Sequence, residues 1–213
     1  MNILEIINLG HAAFLFKGKE VSFVVDPYMD ESVPNLRFPR VSVNYVFKSH
    51  NHSDHNAIDL VKIVPTDVEL DYDTIVVAHD HHNGVRRGLN KIHIFHVDDL
   101  KIIHVGDLGC TPLDSILDQL KGADVVLAPI NGHFTIGSDE LLRIANIIKP
   151  KLLIPMHYYI ASNNSGYPDG NQIERFKSLV KTYYEVNDYR IEINDETLNK
   201  QVIIFNKALQ EDE

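Results

Sequence analysis

A single cysteine, Cys110, and no tryptophan stand in the 213 residues. One thiol excludes an intramolecular disulfide and any zinc knuckle built on several cysteines, and it suits a reducing cytoplasm. Lys and Arg form no runs, and 20 of them face 30 Asp and Glu for a formal net charge of −10. Such a chain has no electrostatic footprint for a phosphate backbone, so nucleic acid is not an expected partner. No stretch approaches the ~18 uninterrupted apolar residues of a membrane span. The opening "MNILEIINLGHAAFLFKGKE" has no basic leader and is broken by Glu5, so it reads as strands, neither a signal nor a span. Repeats, low-complexity tracts and linkers are also missing, and one domain over residues 1–213 is expected. Apolar residues at 44% with charged residues at 23% exclude a disordered chain. Composition leaves the oligomeric state open, a homo-oligomer included.

What is present begins with short β-like runs. "NILEIIN", "AAFLFK", "VSFVVD" and "NYVFKS" predict an antiparallel meander, turned by "GKE" between the second and third. "DHNAIDLVKI" reads as a short helix. "TIVVAHD", "KIHIFHV" and "LKIIHVGD" return to strand, with a hairpin at Asp98 and Asp99. Thr111 as N-cap and Pro112 at the first position predict a helix that Gly122 stops, and Ser138 is expected to cap another that Pro150 ends. Between and after them, "ADVVLAPI", "KLLIPMH", "YRIEI" and "QVIIF" read as strands, with a helix near "QIERFKSLVKTYY". Two packed sheets with helices outside follow, an α/β architecture.

The informative stretch is "SHNHSDHN", residues 49–56. No hydrophobic core requires His50, His52, Asp54 and His55 within six positions. On an extended segment His50 and His52 face the same way and can close on one ion, while the following turn sends Asp54 and His55 toward another point. One segment can thus serve two metals, and this cluster is too dense for an incidental polar loop.

H-x-H-x-D-H after a strand resembles the signature of the metallo-β-lactamase superfamily. "GHAAFLF", "VVDPY", "VAHDHHNGVRRGLN", "IIHVGDLG", "LAPINGHFTIG" and "IPMHYY" follow in the expected order over most of the chain. The narrower resemblance is to small metal-dependent hydrolases that include ascorbate-6-phosphate lactonase. It implies a four-layer αβ/βα sandwich with the site at one edge of two sheets. It also implies two divalent ions, with His50, His52 and His79 on the first, Asp54, His55 and His157 on the second, and Asp107 bridging them. His81 or His82 replaces His79 if the loop register differs, although a strand end is the more rigid platform. Zinc suits imidazole with carboxylate, and iron, manganese or nickel also fit. Ions sharing Asp107 would share a water whose pKa falls from 15.7 toward ~7, with Asp54 orienting it. Hydrolysis of a lactone, ester, amide, thioester or phosphodiester is the implied reaction.

Other residues are weighed against ordinary roles. Asp26 before Pro27 is either a turn residue or, by the resemblance, the aspartate that orients a metal ligand. His11 is expected to face the site on the resemblance alone. His93, His96 and His104 read as packed or solvated histidines, and Cys110 as an incidental thiol. His133 stands where relatives carry a second glycine, which makes it a candidate substrate contact. Arg86 and Arg87 are a local basic exception beside a ligand loop, and either can anchor an anionic group of a small substrate. The rival readings are a nuclease, a redox di-iron protein and a non-catalytic metal-binding module. The first would need an inserted clamp between Asp107 and His157. The second would usually have a carboxylate in place of His52. The third would be favoured by a missing ligand.

Overall fold

The computed structural model describes residues 4–167 and 172–210. Residues 1–3, where "NILEIIN" starts, and residues 168–171 and 211–213 lie outside them. The first half holds β1 (Leu4–Gly10), β2 (Ala13–Lys17), β3 (Ser22–Val25), β4 (Ser42–Val43), β5 (Tyr45–Phe47), β6 (Lys62–Ile63), β7 (Asp71–Ala78), β8 (Leu89–Val97) and β9 (Leu100–His104). The second holds α1 (Asp114–Leu120), β10 (Val125–Pro129), α2 (Ser138–Ile148), β11 (Leu152–Met156), α3 (Gln172–Leu179), β12 (Tyr184–Val186), β13 (Arg190–Ile193), α4 (Asp195–Leu198) and β14 (Gln201–Phe205). The first sheet runs β13-β1-β2-β3-β5 and the second β12-β14-β11-β10-β9-β8-β7, and β4 pairs with β6 in a small two-stranded sheet.

Alternation along the strands builds the layers, because successive side chains on a strand face opposite ways. Phe14, Phe16, Phe23 and Val25 of the first sheet meet Phe95, Leu127, Ile154 and Phe205 of the second in the core between them. Val126, Ala128, Leu153 and Ile204 face the other way and pack under Leu117, Leu141, Ile144 and Phe176 of the helices. On the outer face of the first sheet, Ile7, Leu9, Leu15 and Val24 are covered by Tyr28, Val33, Leu36 and Phe38. The result is the expected αβ/βα sandwich, with a crossing loop rich in proline forming most of the layer outside the first sheet.

Several local expectations are corrected. β5 lies parallel to β3 and does not continue the meander, because the chain first crosses that outer face. "DHNAIDLVKI" forms only a 3₁₀ turn at Ile58–Leu60; Val61 is then extended and packs against the first sheet. Thr111 does not cap α1, which starts from Leu113; its hydroxyl and amide both donate to Glu140 instead. Ser138 is the first residue of α2, Gly137 is the N-cap, and the Ser138 hydroxyl is buried without a partner. The hairpin at Asp98 and Asp99 is present, with φ of 50° and 61°, as a tight two-residue turn requires. Among the described residues, no helix is long and apolar enough to cross a membrane.

Candidate metal centre

Strand direction assembles the site. β1 and β3 flank antiparallel β2, and β5 is parallel to β3, so these three end at one edge of their sheet. β9 and β11 are parallel to β10, and two antiparallel steps relate β7 to β9, so these three also share an end. His11 follows β1, Asp26 follows β3, the His50–His55 segment follows β5, His79 follows β7, Asp107 follows β9 and His157 follows β11. A site drawn from the ends of packed strands is rigidly held.

The convergence is close. One donor atom from each of His50, His52 and His79 lies within 4.8 Å of the others, and the same holds for His11, Asp54, His55 and His157. Asp107 lies between these groups: its Oδ2 is 3.3 Å from His55 Nε2, 3.4 Å from His79 Nε2, 3.5 Å from His157 Nε2 and 4.0 Å from His50 Nε2. His81 and His82 are exposed, and His81 instead meets Glu140 at 3.1 Å. His93 and His104 are buried and bonded to main-chain carbonyls, His93 to Lys48 and His104 to Ala12.

Asp26 fixes how two of these imidazoles present themselves. Its fully buried carboxylate accepts from the Ser49 amide at 2.5 Å, the Ser49 hydroxyl at 2.7 Å and His55 Nδ1 at 3.0 Å. An ionised carboxylate only accepts, so His55 carries its proton on Nδ1 and turns Nε2 toward Asp107. The Ser49 hydroxyl spends its proton on Asp26, so at 2.9 Å it accepts from His50 Nδ1, leaving the His50 Nε2 lone pair free. Burial opposes ionisation of Asp26, but the charge and hydrogen bond of His55, helped by His104 and His50, hold it well below the usual carboxylate range.

The remaining electrostatics suit metal binding. Burial, then the neighbouring His55, lowers His50 to about 3, and burial, then His157, lowers His11 to about 4, so both are neutral near pH 7. Burial also opposes the Asp107 carboxylate, yet His55 and His157 hold its pKa well below normal. His55 is raised, because Asp107 and Asp26 outweigh the cost of burying its charge, and it must release that proton before it can ligate. His11 Nε2, His50 Nε2, His55 Nε2 and Asp107 Oδ1 are buried without a hydrogen-bond partner. Each such atom costs about 1–3 kcal/mol if nothing satisfies it. Divalent cations accept this set of imidazole and carboxylate lone pairs, so the residues fit the implied metals.

Backbone detail supports the cluster. His11, Asp26 and His157 adopt φ of 58°, 53° and 62°, a left-handed conformation that costs non-glycine residues about 1–3 kcal/mol and concentrates at functional sites. Gly109 lies so close to His79 and Asp80 that a Cβ there would collide with their backbone. Asn90, which sequence reasoning missed, accepts from the Asp107 amide at 2.9 Å and donates to the Val105 carbonyl at 2.8 Å. That asparagine closes the stretch "VAHDHHNGVRRGLN", and Ser49, also missed, adjoins the histidine motif.

Beside this cluster, a cavity of about 300 Å³ is lined by Asp54, Arg87, Asp107, His133, Phe134, His157 and Tyr167, among others. The Arg87 guanidinium lies 3.9 Å from the Phe134 ring centre, and its buried Nε has no partner. Arg86 is exposed and does not line this cavity. Asp80 curls their loop by accepting from the amides of His82, Gly84, Arg86 and Arg87. Phe134 and Tyr167 were not singled out from sequence.

The family model of the beta-lactamase superfamily domain matches residues 5–157. A metal-dependent hydrolase of Thermococcus kodakarensis is 30% identical, over 84% of this chain and 92% of that protein. One from Staphylothermus marinus is 28% identical, over 82% of this chain and 90% of its own length. Among solved structures, a Thermotoga maritima protein described as a Zn-dependent hydrolase of the metallo-β-lactamase superfamily has a TM-score of 0.70 at 25% identity, covering 95% of this chain and 98% of that one. With the family model spanning most of the chain and the sandwich fold matching, this chain belongs to the metallo-β-lactamase superfamily, among relatives that are metal-dependent hydrolases.

Proposed function

We propose that the chain is a binuclear metal-dependent hydrolase of a small anionic substrate. The observation that carries this reading is Asp107 Oδ2 standing 3.3–4.0 Å from four imidazoles of two donor groups. His50, His52 and His79 would hold one ion, Asp54, His55 and His157 the other, and Asp107 both. Zinc is the first candidate, with manganese, iron and nickel compatible. Held there, two such ions would supply hydroxide at neutral pH and charge stabilisation for the developing oxyanion.

The chain's own residues supply the rest. Asp54 reaches both His11 and the cavity, where its carboxylate can orient the attacking water. Arg87 is positioned over Phe134, with its guanidinium in the cavity wall and in no ion pair among the described residues. Its fork suits a carboxylate or phosphate. His133, exposed with its ring against Phe134, flanks the same space. A volume of about 300 Å³ is at the lower end for ligand sites and suits one small molecule. Cys110 is a half-buried thiol whose pKa is raised by burial and by Glu140 and Asp80.

The test is a hydrolysis screen over lactones, esters, thioesters and phosphodiesters with the metal-loaded protein. The narrower resemblance noted above puts phosphorylated lactones first. For any substrate found, Arg87→Ala is expected to raise KM for the anionic compound by about 10–100-fold, the loss of a charged hydrogen bond. Arg86→Ala should change it by no more than about twofold, as for an ordinary exposed residue. Neutral analogues should be unaffected by either, with metal content unchanged. Equal effects of the two variants would remove Arg87 from the anion-binding role.

A further inference from the structure

We infer that His11 is itself a metal ligand, joining Asp54, His55 and His157 on the second ion. The inference rests on the binuclear reading above and adds a donor to it. His11 is 6% exposed at the end of β1, and its Nε2 is buried without a hydrogen-bond partner. Its ring centre is 3.8 Å from that of His157 and 5.2 Å from that of His55. The donor atoms of His11, Asp54, His55 and His157 lie within 4.8 Å of one another. Donors about 2.1 Å from a common ion are separated by about 3 Å when adjacent and about 4.2 Å when opposite, so small side-chain movements close this group on one cation.

The competing role is a hydrogen bond that orients Asp54. His11 Nε2 stands 3.3 Å from Asp54 Oδ2. A charge-assisted hydrogen bond would be about 2.7–2.9 Å. Two ligands side by side on one ion have the observed spacing. The backbone gives independent support: His11 and His157 both have left-handed φ, and the His157 amide donates to the His11 carbonyl at 3.0 Å. Two strained turns are thereby fastened together, and their imidazoles meet at one point.

The chemical consequence is metal preference. With Asp107, the second ion would have five protein donors, and one position would remain for water. A six-coordinate shell of nitrogen and oxygen favours manganese, iron or nickel over zinc, which prefers four donors. The His50, His52 and His79 group lacks this extra imidazole and remains suited to zinc.

Two measurements test the assignment. In a crystal structure of the manganese-loaded protein, His11 Nε2 is expected about 2.2 Å from the ion held by Asp54, His55 and His157. An ion held there with His11 Nε2 beyond about 3 Å would overturn the ligand role while leaving the binuclear reading intact. No ion among those residues would overturn the binuclear reading first, and this inference with it. In solution, His11→Gln keeps a polar group beside Asp54 but removes the imidazole. It should weaken Mn²⁺ binding at one site at least about tenfold more than Zn²⁺ binding, and leave the other site unchanged. Equal losses for both metals, or no loss, would make His11 a hydrogen-bonding neighbour only.

Discussion

Asp107→Ala is expected to lower kcat/KM by at least about 10³-fold and to leave the chain holding a single ion. The size of the effect follows from position. Asp107 is 4% exposed, and among the described residues its Oδ2 is the one carboxylate oxygen within 4.0 Å of imidazoles from both donor groups. Its removal leaves two cations to repel each other across a site with no remaining bridge. The imidazoles near Asp54 Oδ2, His11 at 3.3 Å and His55 at 3.8 Å, both belong to the second donor group, so it is not placed to take over. Steady-state kinetics with metal analysis on the same sample reads both losses. An Asp107→Ala protein that keeps two ions and full activity would move the bridge elsewhere.

The second large effect is expected from Asp26→Asn, although Asp26 belongs to neither donor group. Its carboxylate accepts from the Ser49 amide, the Ser49 hydroxyl and His55 Nδ1, and through Ser49 it sets the proton position on His50. An asparagine amide offers one acceptor oxygen and places N–H groups where donors already point. His50 and His55 serve different ions in this account, so both sites should lose affinity, each by about 10–100-fold. Breaking these buried bonds should also destabilise the fold by about 1–3 kcal/mol, visible as a lower Tm. Calorimetric metal titration distinguishes this from a purely structural role. Loss of affinity at one site alone would show that Ser49 does not relay the constraint to His50.

Much of this was legible because the signals are local. The alternation of Phe14, Phe16, Phe23 and Val25 with outward Leu15 and Val24 announces strands buried on both faces, and "SHNHSDHN" announces ligands by density alone. What escaped depends on distant partners. Thr111 has the local signature of a cap, but Glu140, 29 residues away, takes its hydroxyl and amide. β5 looks like the next strand of a meander, and only the burial of Tyr28, Leu36 and Phe38 on the outer face explains its parallel pairing. Arg86 and Arg87 are indistinguishable neighbours until Asp80 curls the loop and Phe134 takes one guanidinium. Asn90 lies on β8 as the last residue of "VAHDHHNGVRRGLN", and only the fold shows that it ties the Val105 carbonyl to the Asp107 amide.

The central claim is that two donor groups share one carboxylate, and metal stoichiometry tests it most directly. The purified chain, stripped and then titrated with Zn²⁺ or Mn²⁺, is expected to saturate at two ions per chain, falling to one when Asp54, His55 and His157 are replaced together. Saturation at one ion in the unaltered chain, with those three replacements changing nothing, would contradict it.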